Sequence, residues 1–404
     1  MSVISVKSQT LAVDGGTPVR PTLLPYGRQS IEECDIQAVN EVLRSDWLTT
    51  GPKVGEFEEA FAARVGTSHA VSFSSGTAAL HAAAFAAGLK AGDEAITTPL
   101  TFAATANCVL YQQATPVFAD VQPDTLTLDP ALAATKITAK TRVILPVDFA
   151  GHPADLAAIL ELADRHNLTV IEDAAHALGA EYRKKPVGSI AHMTTFSFHP
   201  VKHITTGEGG MVTTNDAGLA ETLCRFRNHG ISSDARERQS AGRWHYEMVL
   251  LGFNYRLPDL NCVLGLRQLD RLDENLSRRR EIASRYTRAF REIPGVISPA
   301  VTADANPAWH LYPIQLDLVH LSADRAQVFK ALRAENIGVN VHYIPVHLHP
   351  YYRERFGYQG GEFPVAERAY DRLISLPMFH SMSETDVEDV IEAVRKVCSA
   401  YLAK

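Results

Sequence analysis

The chemistry of this 404-residue chain centres on a lysine in an unusual setting. Lys202 stands in Thr194-Thr195-Phe196-Ser197-Phe198-His199-Pro200-Val201-Lys202-His203-Ile204-Thr205-Thr206-Gly207-Glu208-Gly209-Gly210, just past a strand-like run and before a glycine-rich turn. Apolar Val201 and Ile204 and two histidines surround it, an environment that disfavours the ammonium form and leaves a competent amine. Ser197 and Thr206 are hydroxyl donors of the kind that hold phosphate oxygens. A second segment, Val170-Ile171-Glu172-Asp173-Ala174-Ala175-His176, ends a strand in adjacent acids. At the carboxyl end of a strand in an open α/β sheet, Asp173 can face a ligand crevice and pair with a protonated ring nitrogen. It can equally cap the next element. His176 can support Asp173 or pack under a ring, and a satisfied structural histidine explains it as well.

Two further segments complete the set. Ser74-Ser75-Gly76-Thr77-Ala78-Ala79-Leu80 joins a strand to a helix, where small residues and the helix dipole favour an anion. Taken alone, it is first of all a helix cap. Leu251-Gly252-Phe253-Asn254-Tyr255-Arg256-Leu257-Pro258-Asp259 is polar, carries a cation and is bounded by Gly and Pro, as any loop is. There is no Gly-Lys-Ser/Thr phosphate loop, and no Gly-x-Gly-x-x-Gly follows the first strand.

Alternating strands and helices must position these residues. Nearly continuous apolar runs predict strands at His69–Ser74, Ala95–Thr98, Thr115–Val121, Arg142–Asp148, Thr169–Glu172, Thr194–Phe198 and Gly210–Thr214. Helices are expected at Thr77–Gly88, Thr101–Gln113, Asp155–His166 and Leu219–Asn228. The alternation implies an α/β fold with a large, mainly parallel sheet. A highly charged stretch, Asp270–Arg291, reads as one long surface or bridging helix. Strands at Leu311–Leu316 and Gly338–Tyr343 and helices at Ser322–Glu335 and Glu384–Leu402 follow. We therefore expect a large domain over residues 1–270 and a smaller C-terminal α+β domain over 271–404, tightly packed on each other.

Together, and in this order, SSGTAAL, IEDAAHALGA, SFHPVKHITTGEGGMV and GFNYRLPD resemble the sugar aminotransferases of the DegT/DnrJ/EryC1/StrS family. These enzymes depend on pyridoxal phosphate (PLP) and share fold type I, a seven-stranded, mostly parallel sheet with helices on both faces. The resemblance implies that Lys202 forms the Schiff base, cycling through pyridoxamine phosphate, and that Asp173 pairs with the pyridinium nitrogen. It places Thr77, Ala78 and Ser197 around the phosphate, Phe102 and His176 against the cofactor, and Asn254 at the phosphate of the other subunit of a homodimer. Pro25-Tyr26, Ser45–Gly51, Pro146–Gly151 and Val341–His347 are similar to the branch acting in pseudaminic acid synthesis. That similarity implies a substrate site lined by Tyr26, Leu48, Thr49, Thr50, Gly51, His342, Tyr343, Ile344 and Pro345. It further implies amino transfer from L-glutamate to C4 of a UDP-linked 2-acetamido-2,6-dideoxy-4-ketohexose of the β-L-arabino type. Alternatives are another UDP- or dTDP-4-keto-6-deoxy sugar, a PLP-dependent dehydratase or lyase, and a regulatory relative without catalysis.

Composition narrows the setting. Apolar residues make up 46% and charged residues 21%, an ordinary globular balance. The net charge of −7 argues against nucleic acid or a membrane surface as partner, so local cations must receive a diphosphate; Arg227, His229, Arg243 and Arg256 are candidates. No basic start followed by an apolar block opens the chain, and five scattered cysteines without a Cys-x-x-Cys pair suit a reducing compartment; a cytoplasmic protein is expected. His342, His347 and His349 alternate as metal ligands sometimes do, but no acid lies beside them in sequence, and no metal is expected.

Overall fold

In a strand, successive side chains point to opposite faces, so a sheet covered on both sides favours apolar residues on each. The seven runs are mainly apolar, and polar members such as Ser72, Glu172 and Thr194 are buried within them. In the computed structural model, which describes residues 10–233, 238 and 240–403, the runs form one sheet. Its spatial order is His69–Phe73, Gly210–Thr214, Met193–Ser197, Thr169–Asp173, Thr141–Leu145, Glu94–Thr97, Thr115–Phe118. Only Gly210–Thr214 runs against its neighbours; the other pairs are parallel.

Alternation then sorts the strands' side chains. Ala95, Val143, Leu145, Ile171 and Val212 pack on one face against the helix Gly76–Ala86. That helix comes close because Ala79, Ala82, Ala83 and Ala84 are fully buried and offer no bulk. Ile96, Ile144 and Val170 take the other face, against Ile159, Leu162 and Ala163 of the helix Leu156–His166. The same alternation sends Asp173 and Glu172 to opposite sides of the sheet.

The remaining chain builds a second core around the antiparallel strands Val296–Ile297, Tyr312–Leu316 and Leu373–Leu376. The helices Leu272–Phe290, Arg325–Ala334 and Glu384–Ala400 cover it. Two expectations need correction. The charged stretch is no mere surface helix: it forms Leu272–Phe290, and its inner face buries Leu276, Ile282, Tyr286, Phe290 and even Arg279. Segment Gly338–Tyr343 is no strand; it makes one isolated bridge, Asn340 to Ser375, because His342 and Tyr343 turn into a cavity described below. Among the described residues, no helix is long and apolar enough to cross a membrane.

A buried ion pair fastens the N-terminal segment to this second core. The Glu335 carboxylate accepts from Ala12 N–H and Val19 N–H, each at 2.9 Å, and from Lys396 Nζ at 2.8 Å. Removing one partner leaves an uncompensated buried charge, which typically costs about 3–5 kcal/mol. Glu335→Ala should therefore lower the denaturant midpoint by a corresponding amount, and an unchanged midpoint would refute the fastening role.

Candidate active site

The carboxyl ends of the central strands, the helix Gly76–Ala86 and the segment 340–343 enclose a cavity of about 510 Å³. That size suits a cofactor or drug-sized ligand. Lys202 enters it from the turn after the strand Met193–Ser197, half-buried. Burial pulls its ammonium pKa down from 10.5 to about 8, although Asp173 nearby acts in the opposite sense. A substantial neutral fraction at pH 7–8 makes the amine a nucleophile and a proton carrier.

Asp173 closes the strand Thr169–Asp173 and is buried in the cavity wall. Its Oδ2 accepts a hydrogen bond from Thr105 Oγ1 at 2.7 Å, and its Oδ1 accepts from Ala175 N–H at 3.2 Å. Thr101 Oγ1 lies 2.7 Å from Thr105 Oγ1 and extends the hydroxyl chain. Burial raises the carboxyl pKa, while these donors and Lys202 oppose the rise. His176 is buried beside it, with Nε2 3.0 Å from Tyr343 Oη and Nδ1 without a partner. Burial first, then Lys202, His342 and His203, hold His176 neutral at physiological pH. His310, which sequence reasoning did not single out, packs against it with ring centroids 4.5 Å apart. His203 Nε2 lies 3.0 Å from the Ala308 carbonyl, so the histidine flanking Lys202 docks the chain and is itself buried.

Arg279 was equally illegible. Its charge lies in an SRRRE run, yet Nη1 donates to the carbonyls of Trp309, His310 and Met378 at 3.0–3.3 Å. Burial lowers its pKa to about 10, still charged at neutral pH. It fixes the backbone that presents His310.

Of the residues expected at the site, the structure brings Tyr26, Thr77, Phe102, Asp173, His176, Ser197, Lys202, His342 and Tyr343 to this one cavity. Ala78 does not line it: its N–H donates to Ser75 Oγ at 3.1 Å, so the capping reading of SSGTAAL holds at that position. Ile344 is exposed and Pro345 buried outside it, where Val346 N–H reaches the Pro99 carbonyl. Leu48–Gly51 lies elsewhere as well. Asp259 at the end of GFNYRLPD accepts from Gly51 N–H at 2.7 Å and Lys53 N–H at 3.0 Å. Thr50 and Gly51 thereby line a second cavity, of about 590 Å³, with Arg227 and Arg256. There Arg227 is already paired with Glu58, and Arg256 donates to Asn228 Oδ1 at 2.6 Å. Asn254 is exposed and bridges Asn228 through the backbone.

His342 turns to Ser375 and His347 to Glu367, so the alternating histidines do not converge. His347, Glu362 and Glu367 bring ligand atoms within 4.8 Å of one another. The carboxylates there accept from Gln359, Gly360, Gly361 and Phe363 N–H groups, which makes the trio a loop fastener.

The cavity fits a flat ring bearing a phosphate. Gly76 opens the 11-residue helix beside Ser197, and a Cβ there would sit 2.9 Å from Ser197 Cβ. A Cβ at Gly210 would sit 2.5 Å from the Ser75 carbonyl oxygen. Glycine at both positions keeps the strand ends and the helix N-terminus in contact, where N–H groups and the dipole favour an anion. A buried acid for a ring nitrogen and a lysine of lowered pKa stand across the same space.

Comparison with known proteins agrees with this geometry. The chain is 48% identical to the spore coat polysaccharide biosynthesis protein SpsC of Bacillus subtilis over 380 residues, covering 94% of this chain and 98% of SpsC. It is 39% identical to UDP-4-amino-4-deoxy-L-arabinose--oxoglutarate aminotransferase of Shewanella sediminis, covering 93% and 98%. The structure of Helicobacter pylori PseC, an aminotransferase involved in the biosynthesis of pseudoaminic acid, superposes with a TM-score of 0.88 at 32% identity, covering 94% of this chain and all of PseC. The DegT/DnrJ/EryC1/StrS aminotransferase family model matches residues 29–395, and the chain belongs to that family, as a PLP-dependent sugar aminotransferase of fold type I.

Proposed function

We propose that the enzyme transfers an amino group from L-glutamate to C4 of a UDP-linked 2-acetamido-2,6-dideoxy-4-ketohexose of the β-L-arabino type. The observation that carries the chemical part is Lys202, at a pKa of about 8, sharing one cavity with buried Asp173 and the helix N-terminus at Gly76. The sugar rests on likeness to PseC and on segments 45–51, 146–151 and 341–347, while the Shewanella relative's name supports a UDP-sugar and the oxoglutarate couple. PLP, when bound, supplies the electron sink that lets an amino donor lose its α-proton.

The chain's own residues do the rest. Asp173 holds a negative charge, steadied by Thr105 and Ala175, opposite the place where a ring nitrogen would keep its proton. Lys202 Nζ fastens the cofactor between turnovers and carries the proton during them. Thr77, Ser197 and the helix N-terminus take the phosphate. Tyr343, hydrogen-bonded to His176, and exposed Phe102 wall the cavity toward the substrate side. In this reading residues 1–270 hold the cofactor, residues 271–404 close over it, and the enzyme works in the cytoplasm.

The substrate test is mass spectrometry and kinetics on a panel of UDP- and dTDP-4-keto sugars. A site built to hydrogen-bond an acetamido group rejects analogues lacking it, so kcat/KM should fall at least about 100-fold without that group. A preference for a dTDP sugar lacking it would overturn the sugar assignment and leave the aminotransferase standing.

Thr50, Gly51 and Arg256 line a second cavity that does not include Lys202, and Asn254 bridges its Asn228. We read that region as the half-site offered to a partner in a homodimer. Mixing inactive Lys202→Ala and Asn254→Ala chains should then restore activity in hybrids that hold one intact site. A fully active monomer would end this reading.

A further inference from the structure

Behind Asp173, on the opposite side of the sheet, lie two acids that the reaction leaves unused. Asp148 and Glu172 are fully buried. Each has one satisfied oxygen: Asp148 Oδ1 accepts from Ala154 N–H at 2.9 Å, and Glu172 Oε2 accepts from Thr194 Oγ1 at 2.7 Å. Each has one oxygen, Asp148 Oδ2 and Glu172 Oε1, that no donor reaches. The two carboxyl groups bear directly on each other, and two ionised carboxylates cannot share a hydrogen bond because neither carries a donor. Among the described residues the charged group bearing on both is Asp173, and no cation faces the pair.

We propose that Asp148 and Glu172 share one proton and act as positioning residues that keep the neighbouring Asp173 ionised. Three buried acids in one strand-end cluster cannot all be charged without large repulsion. The hydrogen bonds decide where the single proton resides. Asp173 has donors on both oxygens, from Thr105 and Ala175, and Lys202 nearby, so its ionised form is favoured. The pair has two buried oxygens without a donor, so the proton belongs there. Burial moves both pKa values the same way, Asp148 well above its ordinary value and Glu172 to about 7, and they titrate as a unit.

The pair also fastens backbone. Asp148 N–H donates to the Asp173 carbonyl at 3.1 Å, and Asp173 N–H donates to that of Pro146 at 2.9 Å. Thr194, the partner of Glu172, belongs to the strand that leads to Ser197 and Lys202. The strand ends that carry the acid and the lysine are therefore tied through one proton. The claim about Asp173 rests on the role proposed for it above; the sharing of the proton does not.

The pair binds a proton that the unfolded chain would release near the ordinary glutamate value of 4.5. Its contribution to stability is therefore full below that pH and is lost only as pH rises past the raised values of the pair. Glu172→Gln and Asp148→Asn each keep one oxygen for the existing donor and turn an amide N–H toward the remaining carboxylate. Three measurements on the holoenzyme test the proposal. At pH 6 the infrared difference spectrum of wild type minus Glu172→Gln should contain a protonated carboxyl band that weakens as pH is raised. The fall in melting temperature from pH 5 to 8 should be shallower in either single variant. The double variant sets amide against amide, donor against donor, and should melt lower than the two single changes add up to. An empty difference spectrum at pH 6, an unchanged pH slope, or a double variant that is merely additive would each overturn the shared proton. If all three hold while the bound cofactor's absorbance is unaffected by either single variant across that pH range, the link to Asp173 is overturned.

Discussion

Replacing Lys202 with alanine should reduce amino transfer at least about 10³-fold, the loss expected when both a covalent anchor and a proton carrier are removed. The residue is the amine in the cavity opposite Asp173, and burial already sets its pKa to about 8. Arginine at the same position should be as inactive, because a guanidinium cannot give up its proton at working pH. Borohydride treatment of the wild-type holoenzyme should leave the cofactor's mass on the peptide containing Lys202. Uptake of PLP by the apoenzyme should accelerate as pH climbs through about 8, where the neutral amine becomes the major form. A Lys202→Ala enzyme of full activity, or a label on another peptide, would refute the assignment. An uptake midpoint above pH 10 would show instead that burial does not tune this lysine.

Asp173→Asn should come next in severity, with a fall of about 10²–10³-fold in turnover, the scale seen when one charge-stabilising group is removed from an active site. Asparagine keeps the size of aspartate, so the fold should survive. Its amide can accept from Thr105 or Ala175 as before. What it cannot do is hold a negative charge beside a ring nitrogen. The single-turnover rate with glutamate should therefore fall while the melting temperature stays near that of wild type. An Asp173→Asn enzyme within about threefold of the wild-type rate would rule out a charge-pairing role.

The sequence was most informative where local pattern and global fold coincide. Seven mainly apolar runs became the seven strands, because a sheet covered on both faces favours apolar side chains on either side of a strand. Lys202 and Asp173 were legible because strand-end chemistry is local to a few residues on either side. Legibility failed where partners are far apart in the chain. Val339 and Val341 alternate with polar neighbours as a strand would, yet His342 turns to Ser375 and Tyr343 to His176. Arg279 lies in a run of three arginines, and nothing nearby announces that three carbonyls from residues 309, 310 and 378 await it. Thr105 stands in an ordinary helix and becomes an Asp173 donor only because the sheet places its strand's neighbour beside it. Leu48–Gly51 was assigned to the substrate by resemblance, and its actual neighbour in the chain, Asp259, is more than 200 positions away.

The wall of the cavity is fastened late. Tyr26 lines it, but the Tyr26 carbonyl is held by Met378 N–H. His176 and His310 meet at Gly151, whose φ of +98° and lack of a side chain let its carbonyl accept from Ala308 N–H while the neighbouring Ala150 carbonyl takes Leu311 N–H. The strand Tyr312–Leu316 that carries this seam is itself completed by Leu373–Leu376. A ribosome delivers these parts in order, and the sheet bearing Asp173 and Lys202 emerges long before the residues that shape the space above it. Nearly the whole chain must therefore be in place before the cavity is closed: a chain cut short before residue 378 would carry the reactive lysine but lack the residues that hold this part of its wall.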